Sequence, residues 1–369
     1  MSLRVLFISR AYPPIVGGIE NQNAALSVWL KEHAKVTTLA NRFGKKFLPI
    51  FLPYALCRAL FMARSFDAVL LGDGVLSVVG WAVKIFFPKK AVLSVIHGLD
   101  ITYPLFLYQA LWVRVFIPKL DALIAVGNET IAVGENHGIA KEKFEFVPNG
   151  IDPEQHYNPN FTHNDLEGII GDVRKDQTVI LTAGRLAHRK GVAWFIRNVL
   201  PSLSKEIIYV VAGDGSDRDA IRSAVEETKT FERVKLLGYV SDRARDILMN
   251  TCDLFVQPNI PVPGDVEGFG ITPIEAASCG IPVIVSRLEG LKDAFTDNKN
   301  GIFAEPEDAN DWKEKIERML SDKSARKAFG ERARHYTAEH YNWKTISACY
   351  AGIIKKTVAQ TTGERELHL

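Results

Sequence analysis

The chain of 369 residues carries 45 Lys+Arg against 43 Asp+Glu, with 47% hydrophobic and 24% charged residues. That composition excludes a disordered chain, a collagen and a low-complexity tract, and the length gives room for two domains with full cores. The formal net charge of +2 hides a split, because residues 1–120 hold 14 Lys+Arg against 5 Asp+Glu, a net of +9, while the remainder nets −7.

The chain opens on the apolar run Leu3-Arg4-Val5-Leu6-Phe7-Ile8-Ser9. It is too short for a signal h-region and lacks a small-residue cleavage site, so a buried first strand is expected. Short β-branched runs then alternate with helix-length segments. The strand candidates are 5–9, 36–39, 68–71, 91–96, 122–126 and 144–147, followed by 179–182, 207–211, 234–237, 254–257, 283–285 and 301–304. Strands apolar throughout, each followed by a helix, indicate parallel sheets covered on both faces. Twelve are too many for one ordinary sheet and divide six and six at the polar stretch His156-Tyr157-Asn158-Pro159-Asn160 to Asp165. The expected architecture is α/β, with two Rossmann-like doubly wound domains at 1–162 and 163–342. A last helix, about 343–369, is expected to cross back onto the first. Ligands bind outside the carboxyl ends of such strands, so two facing domains would share one cleft.

No stretch reaches about 18 uninterrupted apolar residues, and no membrane span is expected. Two segments nevertheless mix large apolar side chains with cations, as interfacial helices do. One contains Lys45, Lys46, Phe47, Phe51, Arg58 and Arg64, and the other holds Phe106, Trp112 and Phe116 around Arg114. A buried helix of the first domain is the competing reading for both, and the favoured one for the second. Cys57, Cys252, Cys279 and Cys349 form no C-x-x-C pair, which excludes a zinc ribbon or disulfide scaffold and suits a reducing compartment.

Several strand ends carry chemistry. Gly17 and Gly18 follow the first strand, where paired glycines let backbone amides approach an anion; a plain turn reads equally well. A G-x-G-x-x-G fingerprint is absent, which disfavours ordinary dinucleotide binding. His97 follows the fourth strand, where it could polarise a hydroxyl or phosphate, or simply cap. Arg185 and Lys190 flank the turn after the seventh strand, and two cations converging there suit a diphosphate. Arg189 between them is a weaker candidate for the same role, with a solvent-facing position as the alternative. The stretch Glu267-Gly268-Phe269-Gly270-Ile271-Thr272 offers loop amides at a helix start, and Glu275 lies on that helix, eight residues beyond Glu267. The separation gives the two carboxylates separate tasks, one for sugar hydroxyls and one for a ribose diol. Asp217-Arg218-Asp219 reads as helix capping rather than a metal site.

In this order and spacing these motifs resemble the retaining glycosyltransferases of family 4, which have the GT-B fold. The resemblance rests on Gly17-Gly18, His97-Gly98, Gly184-Arg185 to Lys190-Gly191, Gly238-Tyr239-Val240 and Glu267-x7-Glu275. It implies transfer of a sugar from a nucleotide-sugar donor with retention and no required divalent metal or cofactor. It further implies that Arg185 and Lys190 neutralise the diphosphate, Glu267 holds the sugar, Glu275 the ribose, His97 sits at the reaction centre and Val240 lines the base pocket. Asp242 could accept from a guanine edge, favouring a GDP-sugar over a UDP-sugar, or cap the following helix. The insert Pro258 to Val266 resembles that of bacterial α-mannosyltransferases acting on lipid-bound acceptors, which makes mannose the first sugar to consider.

The basic, apolar-rich first domain suggests an anionic membrane surface at the cytoplasmic face and a lipid-linked saccharide or other glycan acceptor. A soluble sucrose- or glycogen-synthase-like enzyme and a non-catalytic nucleotide-binding or lipid-docking module are the alternatives. The positive charge is interleaved with aliphatics rather than spread as a phosphate-tracking stripe, which argues against nucleic acid.

Overall fold

In a computed structural model of the chain, residues 2–363 are described, apart from 16 and 175. Two compact units emerge. The first contains β1 (Arg4–Ser9), β2 (Lys35–Ala40), β3 (Ala68–Leu71), β4 (Ala91–Ile96), β5 (Ala122–Ala125) and β6 (Phe144–Phe146). Its sheet is parallel throughout, in the order β2-β1-β3-β4-β5-β6. The second contains β7 (Thr178–Ala183), β8 (Ile207–Ala212), β9 (Val234–Gly238), β10 (Leu254–Gln257), β11 (Val283–Ser286) and β12 (Ile302–Ala304). Its order is β12-β11-β10-β7-β8-β9, again parallel. Every residue of β3, β4, β5, β8, β10 and β11 is buried, as strands covered on both faces require. The chain order reverses between β1 and β3 in one sheet and between β7 and β10 in the other. Those reversals are where open α/β sheets bind ligands.

The division falls at Gly150/Ile151 rather than at 162. Residues 151–162 are held by the second unit: the Ile151 amide donates to the Tyr341 carbonyl at 2.7 Å, and the Asn158 amide to Asn250 Oδ1 at 2.9 Å. These partners lie so far along the chain that the polar composition near 160 gave no sign of them. The first unit is completed by the helix Trp343–Thr362, which lays Trp343, Ile346, Tyr350 and Ile354 against Val5, Phe7, Leu26 and Leu93. Residues 364–369, included in the sequence expectation for this helix, lie outside the described residues. The charge split follows the division: residues 1–150 with 343–369 net +8, and 151–342 net −6.

Residues 45–65 are helical throughout, with a core helix Leu48–Met62. By length and composition this 21-residue segment, of mean hydropathy 1.4, is long and apolar enough to cross a membrane. The expectation of no candidate span rested on uninterrupted apolar runs, and Arg58 interrupts this one. One face is seated in the first unit, where Phe51, Ala55 and Ala59 pack with Val79 and Val83. Phe51 therefore belongs to the core and not to a surface contact, because it shares the inward stripe with residues four and eight further on. Phe47, Ile50, Tyr54 and Phe61 are exposed, as are Lys45, Lys46, Arg58 and Arg64. The second segment, 103–120, buries Tyr108, Val113, Phe116 and Ile117 but exposes Tyr103, Leu105, Phe106 and Leu107.

Ile354 is fully buried against the first sheet. Ile354→Ala is expected to destabilise the first unit by about 2–5 kcal/mol, read as an earlier first-unit transition in urea. An unchanged transition would mean that the helix does not support that sheet.

Candidate functional site

In the second unit the segments beyond β7 and β10 are brought together by one glycine. Gly191 has φ +65°, and a Cβ there would lie 1.9 Å from the Pro258 carbonyl oxygen. Only a residue without a side chain fits. The turn His188–Lys190 is fixed further by the Ile260 amide, which donates to the Arg189 carbonyl at 2.9 Å, and by His188 Nδ1 against Asp217 Oδ1 at 3.0 Å. Asp217 occupies the N-cap position of the helix Arg218–Thr228, yet its carboxylate bonds His188 and makes no cap hydrogen bond.

The result is a buried charge cluster. Lys190 Nζ lies 2.5 Å from Glu267 Oε2, and Arg189 Nε lies 3.5 Å from the same oxygen. Arg189 also pairs with Asp265 at 2.8 Å, so it turns inward and not to solvent. The position of Gly191 explains the difference: the turn runs against Pro258 instead of projecting outward. Asn259 Nδ2 donates to Glu267 Oε2 at 3.2 Å, and Gln257 Nε2 in turn donates to Asn259 Oδ1 at 2.6 Å. Burial alone would raise the pKa of the Glu267 carboxyl; Lys190 and Arg189 more than offset this and hold it at about 2. Asn259 and Gln257 were not singled out from sequence, although both follow or end a strand at the switch point.

Arg185 is exposed and forms no ion pair with any described residue. Thr272, in the first turn of the helix Ile271–Ser278, sits beside Gly184: a Cβ there would be 3.5 Å from Thr272 Oγ1. That helix starts from Gly270 at φ +82° and has no side-chain cap. Its leading amides are therefore available to an anion next to Arg185. The Phe269 side chain is in the core, its ring centroid 6.0 Å from that of Tyr341, and so anchors the loop.

Glu275 faces His156, with Oε1 3.7 Å from Nε2, and His156 Nδ1 lies 2.8 Å from Asp246 Oδ1. Burial opposes charging of this imidazole, but Glu275 and Asp246 outweigh it and raise its pKa. His156 was read from sequence only as part of a linker. At the end of β9, Val240 packs against the core while Tyr239 is 83% exposed. Ser241 caps the helix Asp242–Thr251 through the Ala244 amide at 3.2 Å, so the cap role is not Asp242's, whose carboxylate is 88% exposed.

His97, Gly17 and Gly18 belong to the first unit. Gly17 has an extended backbone, φ 173°, that any residue adopts, and Gly18 opens the helix Gly18–Trp29. The His97 ring Nε2 is 3.2 Å from the Gly72 carbonyl oxygen, and its amide donates to Asp100 Oδ2 at 3.0 Å. Beside it the buried Asp73 pairs with Arg10 at 2.9 Å. Burial and the nearby Asp100 raise the Asp73 carboxyl to about 6, with Arg10 acting against them. Arg10, Asp73 and Asp100 were missed from sequence; each stands at or just past a strand's carboxyl end. Among the described residues no three His, Cys, Asp or Glu side chains converge as a metal set.

Residues 9–155 match the family described as Glycosyltransferase Family 4, and residues 170–336 match Glycosyl transferases group 1. The chain has the two-domain GT-B α/β fold and resembles family 4 glycosyltransferases. It is 29% identical over 211 residues to an uncharacterized glycosyltransferase of Methanocaldococcus jannaschii, covering 56% of this chain and 52% of that protein. It is 27% identical over 225 residues to the N-acetylgalactosamine-N,N'-diacetylbacillosaminyl-diphospho-undecaprenol 4-alpha-N-acetylgalactosaminyltransferase of Campylobacter jejuni, covering 60% and 57%. The match thus spans about half the length of these curated relatives. In fold it is similar to an Anabaena protein crystallised with UDP, with a TM-score of 0.73 at 18% identity, covering 96% of this chain and all of that one.

The folded value of about 2 for Glu267 lies below its ordinary 4.5. The stability this group contributes is therefore complete above about pH 4.5 and is lost as pH falls toward 2. Urea titrations should show a gap between the parent chain and Glu267→Gln that is constant from pH 8 to 5 and closes below that. A gap that instead closes near neutrality would place the carboxylate outside the cation pair.

Proposed function

We propose that this chain is a retaining, metal-independent glycosyltransferase that moves a sugar from a nucleoside diphosphate sugar to a lipid-linked saccharide or other glycan acceptor. It would act as a peripheral protein on the cytoplasmic face of a membrane. The observation that carries the reading is the Lys190–Glu267 pair beyond β7 and β10, with Gly184, next to Arg185, lying beside Thr272 at the start of the uncapped helix Ile271–Ser278. Charge develops on the departing diphosphate as its bond to the anomeric carbon breaks; the acceptor hydroxyl oxygen bonds to that carbon and its proton passes to the departing phosphate oxygen. Fixed cations and amides stabilise that charge without reorganising.

The pairing of Lys190 with Glu267 defines an exchange. A diphosphate arriving at Lys190 takes over its charge, and the freed Glu267 oxygen accepts from sugar hydroxyls. Arg189, still close, keeps the carboxylate ionised. Glu275, oriented by His156, takes the ribose diol, Val240 and the exposed Tyr239 flank the base, and His97 polarises the acceptor side. Mannose is the first sugar to try, on the insert at 258–266, and both GDP- and UDP-sugars should be screened by thermal stabilisation.

The lipid acceptor draws support from the exposed cations and aromatics of residues 45–65, from the +8 of the first unit, and from the named lipid-linked substrate of the Campylobacter relative. Lys45→Glu with Lys46→Glu should abolish co-sedimentation with anionic vesicles; retained binding would remove these lysines from the contact.

Lys190→Ala and Glu275→Ala should each lower transfer from the preferred donor by at least about tenfold, roughly 1.4 kcal/mol of barrier. Near-parental kinetics in both variants would overturn the site assignment.

A further inference from the structure

A cavity of about 670 Å³ lies entirely within the first unit, along the outer edge of its sheet. It follows β2, the edge strand, between the helices Gly18–Trp29 and Leu48–Met62. Its size is that of a pocket for a small organic ligand. The walls are aromatic and aliphatic, chiefly Tyr12, Phe43, Phe47, Ile50, Phe51 and Tyr54. Among the described residues its charged lining groups are Lys31, four residues before β2, and Arg42, two residues after it, and no described Asp or Glu lines it. Neither cation forms an ion pair with a described residue. Arg42 lies over the Tyr12 ring, its guanidinium carbon 5.4 Å from the centroid, and Tyr12 is fixed by a 2.8 Å hydrogen bond to Ser27 Oγ.

The turn that presents Arg42 is built for that purpose. Asn41 is buried and uses its amide group on the carbonyls of Arg10 and Gly44, at 3.2 and 3.0 Å, while its oxygen accepts from the Phe43 amide at 3.0 Å. Arg42 and Phe43 beyond it are exposed, and the Phe43 ring is tilted against Phe47, centroids 5.2 Å apart. Arg42 stands at the carboxyl edge of the sheet, the side on which such sheets bind ligands.

From this geometry we propose that the cavity binds a single-chain phosphorylated amphiphile. Its phosphate lies on Arg42 and its apolar chain runs along β2 between the two helices. An apolar wall with unpaired cations and no carboxylate favours an anionic headgroup joined to a hydrocarbon over a neutral lipid or a free anion. The proposal rests on the lipid-linked acceptor proposed above and deepens it by giving that acceptor's tail and first phosphate a seat separate from the membrane-facing cations.

The probe is dodecyl phosphate below its micellar concentration, titrated into the full-length protein by calorimetry, with dodecanol and inorganic phosphate as parallel arms. Saturable one-to-one binding is expected for dodecyl phosphate, with at least tenfold weaker binding of each half-molecule. Arg42→Glu should weaken the amphiphile at least tenfold, and Thr38→Trp, which fills the cavity, should abolish binding. Val28→Trp, on an exposed helix position lining the same cavity, replaces Thr38→Trp should the strand variant fail to fold. Thermal stabilisation by the nucleotide sugar should be unchanged in these variants. Absent or non-saturable binding, binding that survives both cavity-filling variants, or equal binding of inorganic phosphate would each overturn the proposal. Amphiphile binding without any donor stabilisation would sink the proposed transferase and leave the cavity assignment standing.

Discussion

A carboxylate buried at the end of a parallel sheet is tolerated only when cations meet it, and the second unit is arranged around that requirement. Glu267 is 8% exposed, yet it remains ionised because Lys190 and Arg189 both reach its Oε2 from a turn that belongs to a different strand. The turn reaches that place because Gly191 lies flat against the Pro258 carbonyl, and Asn259 and Gln257 complete the hydrogen bonding. Without ligand, the carboxylate thus substitutes for an incoming anion. The cations are kept in place, and their charge is offset without being neutralised by distant groups.

The first unit handles the same problem differently. Arg10 and Asp73 pair at the β1/β3 reversal, with Asp100 close enough to work against ionisation of Asp73. Where the second unit sets two cations on the buried Glu267, with Asp265 also on Arg189, this one sets two carboxylates near one arginine. The overall charges run the other way, +8 for the first unit and −6 for the second. Net charge therefore describes the surfaces and not the buried groups at the strand ends.

The strands were legible because a doubly covered parallel sheet leaves an uninterrupted β-branched run in sequence. The strands at 68–71, 91–96 and 254–257 match residue for residue, and the others lie within one residue at each end. Lys190 and Glu267 stood out in sequence, one in the turn after a strand and the other in a glycine-flanked loop before a helix, and the structure pairs them. The inward course of Arg189 was not legible, since it depends on the left-handed conformation of one glycine and on a carbonyl 67 residues away. Nor were the roles of His156 and Asn259, whose partners come from other elements. The division at Gly150 was hidden for the same reason: composition marks flexible linkers, whereas residues 151–162 are fixed by long-range hydrogen bonds. Phe51 looked like a surface aromatic within a basic segment, and only the helix phase set by Ala55 and Ala59 shows it to be core.

The helix Trp343–Thr362 has a consequence for how the molecule is made. The second unit is continuous from Ile151 to Asn342, whereas the first is closed by a helix some two hundred residues after its last strand. During synthesis from the amino terminus, the second unit can finish folding while one face of the first sheet still lacks its cover. Val5, Phe7 and Leu93 then wait in water for Tyr350 and Ile354 to leave the ribosome. The earlier-made half of the protein is the later one to mature, and its bare sheet is the surface on which nascent chains would go astray.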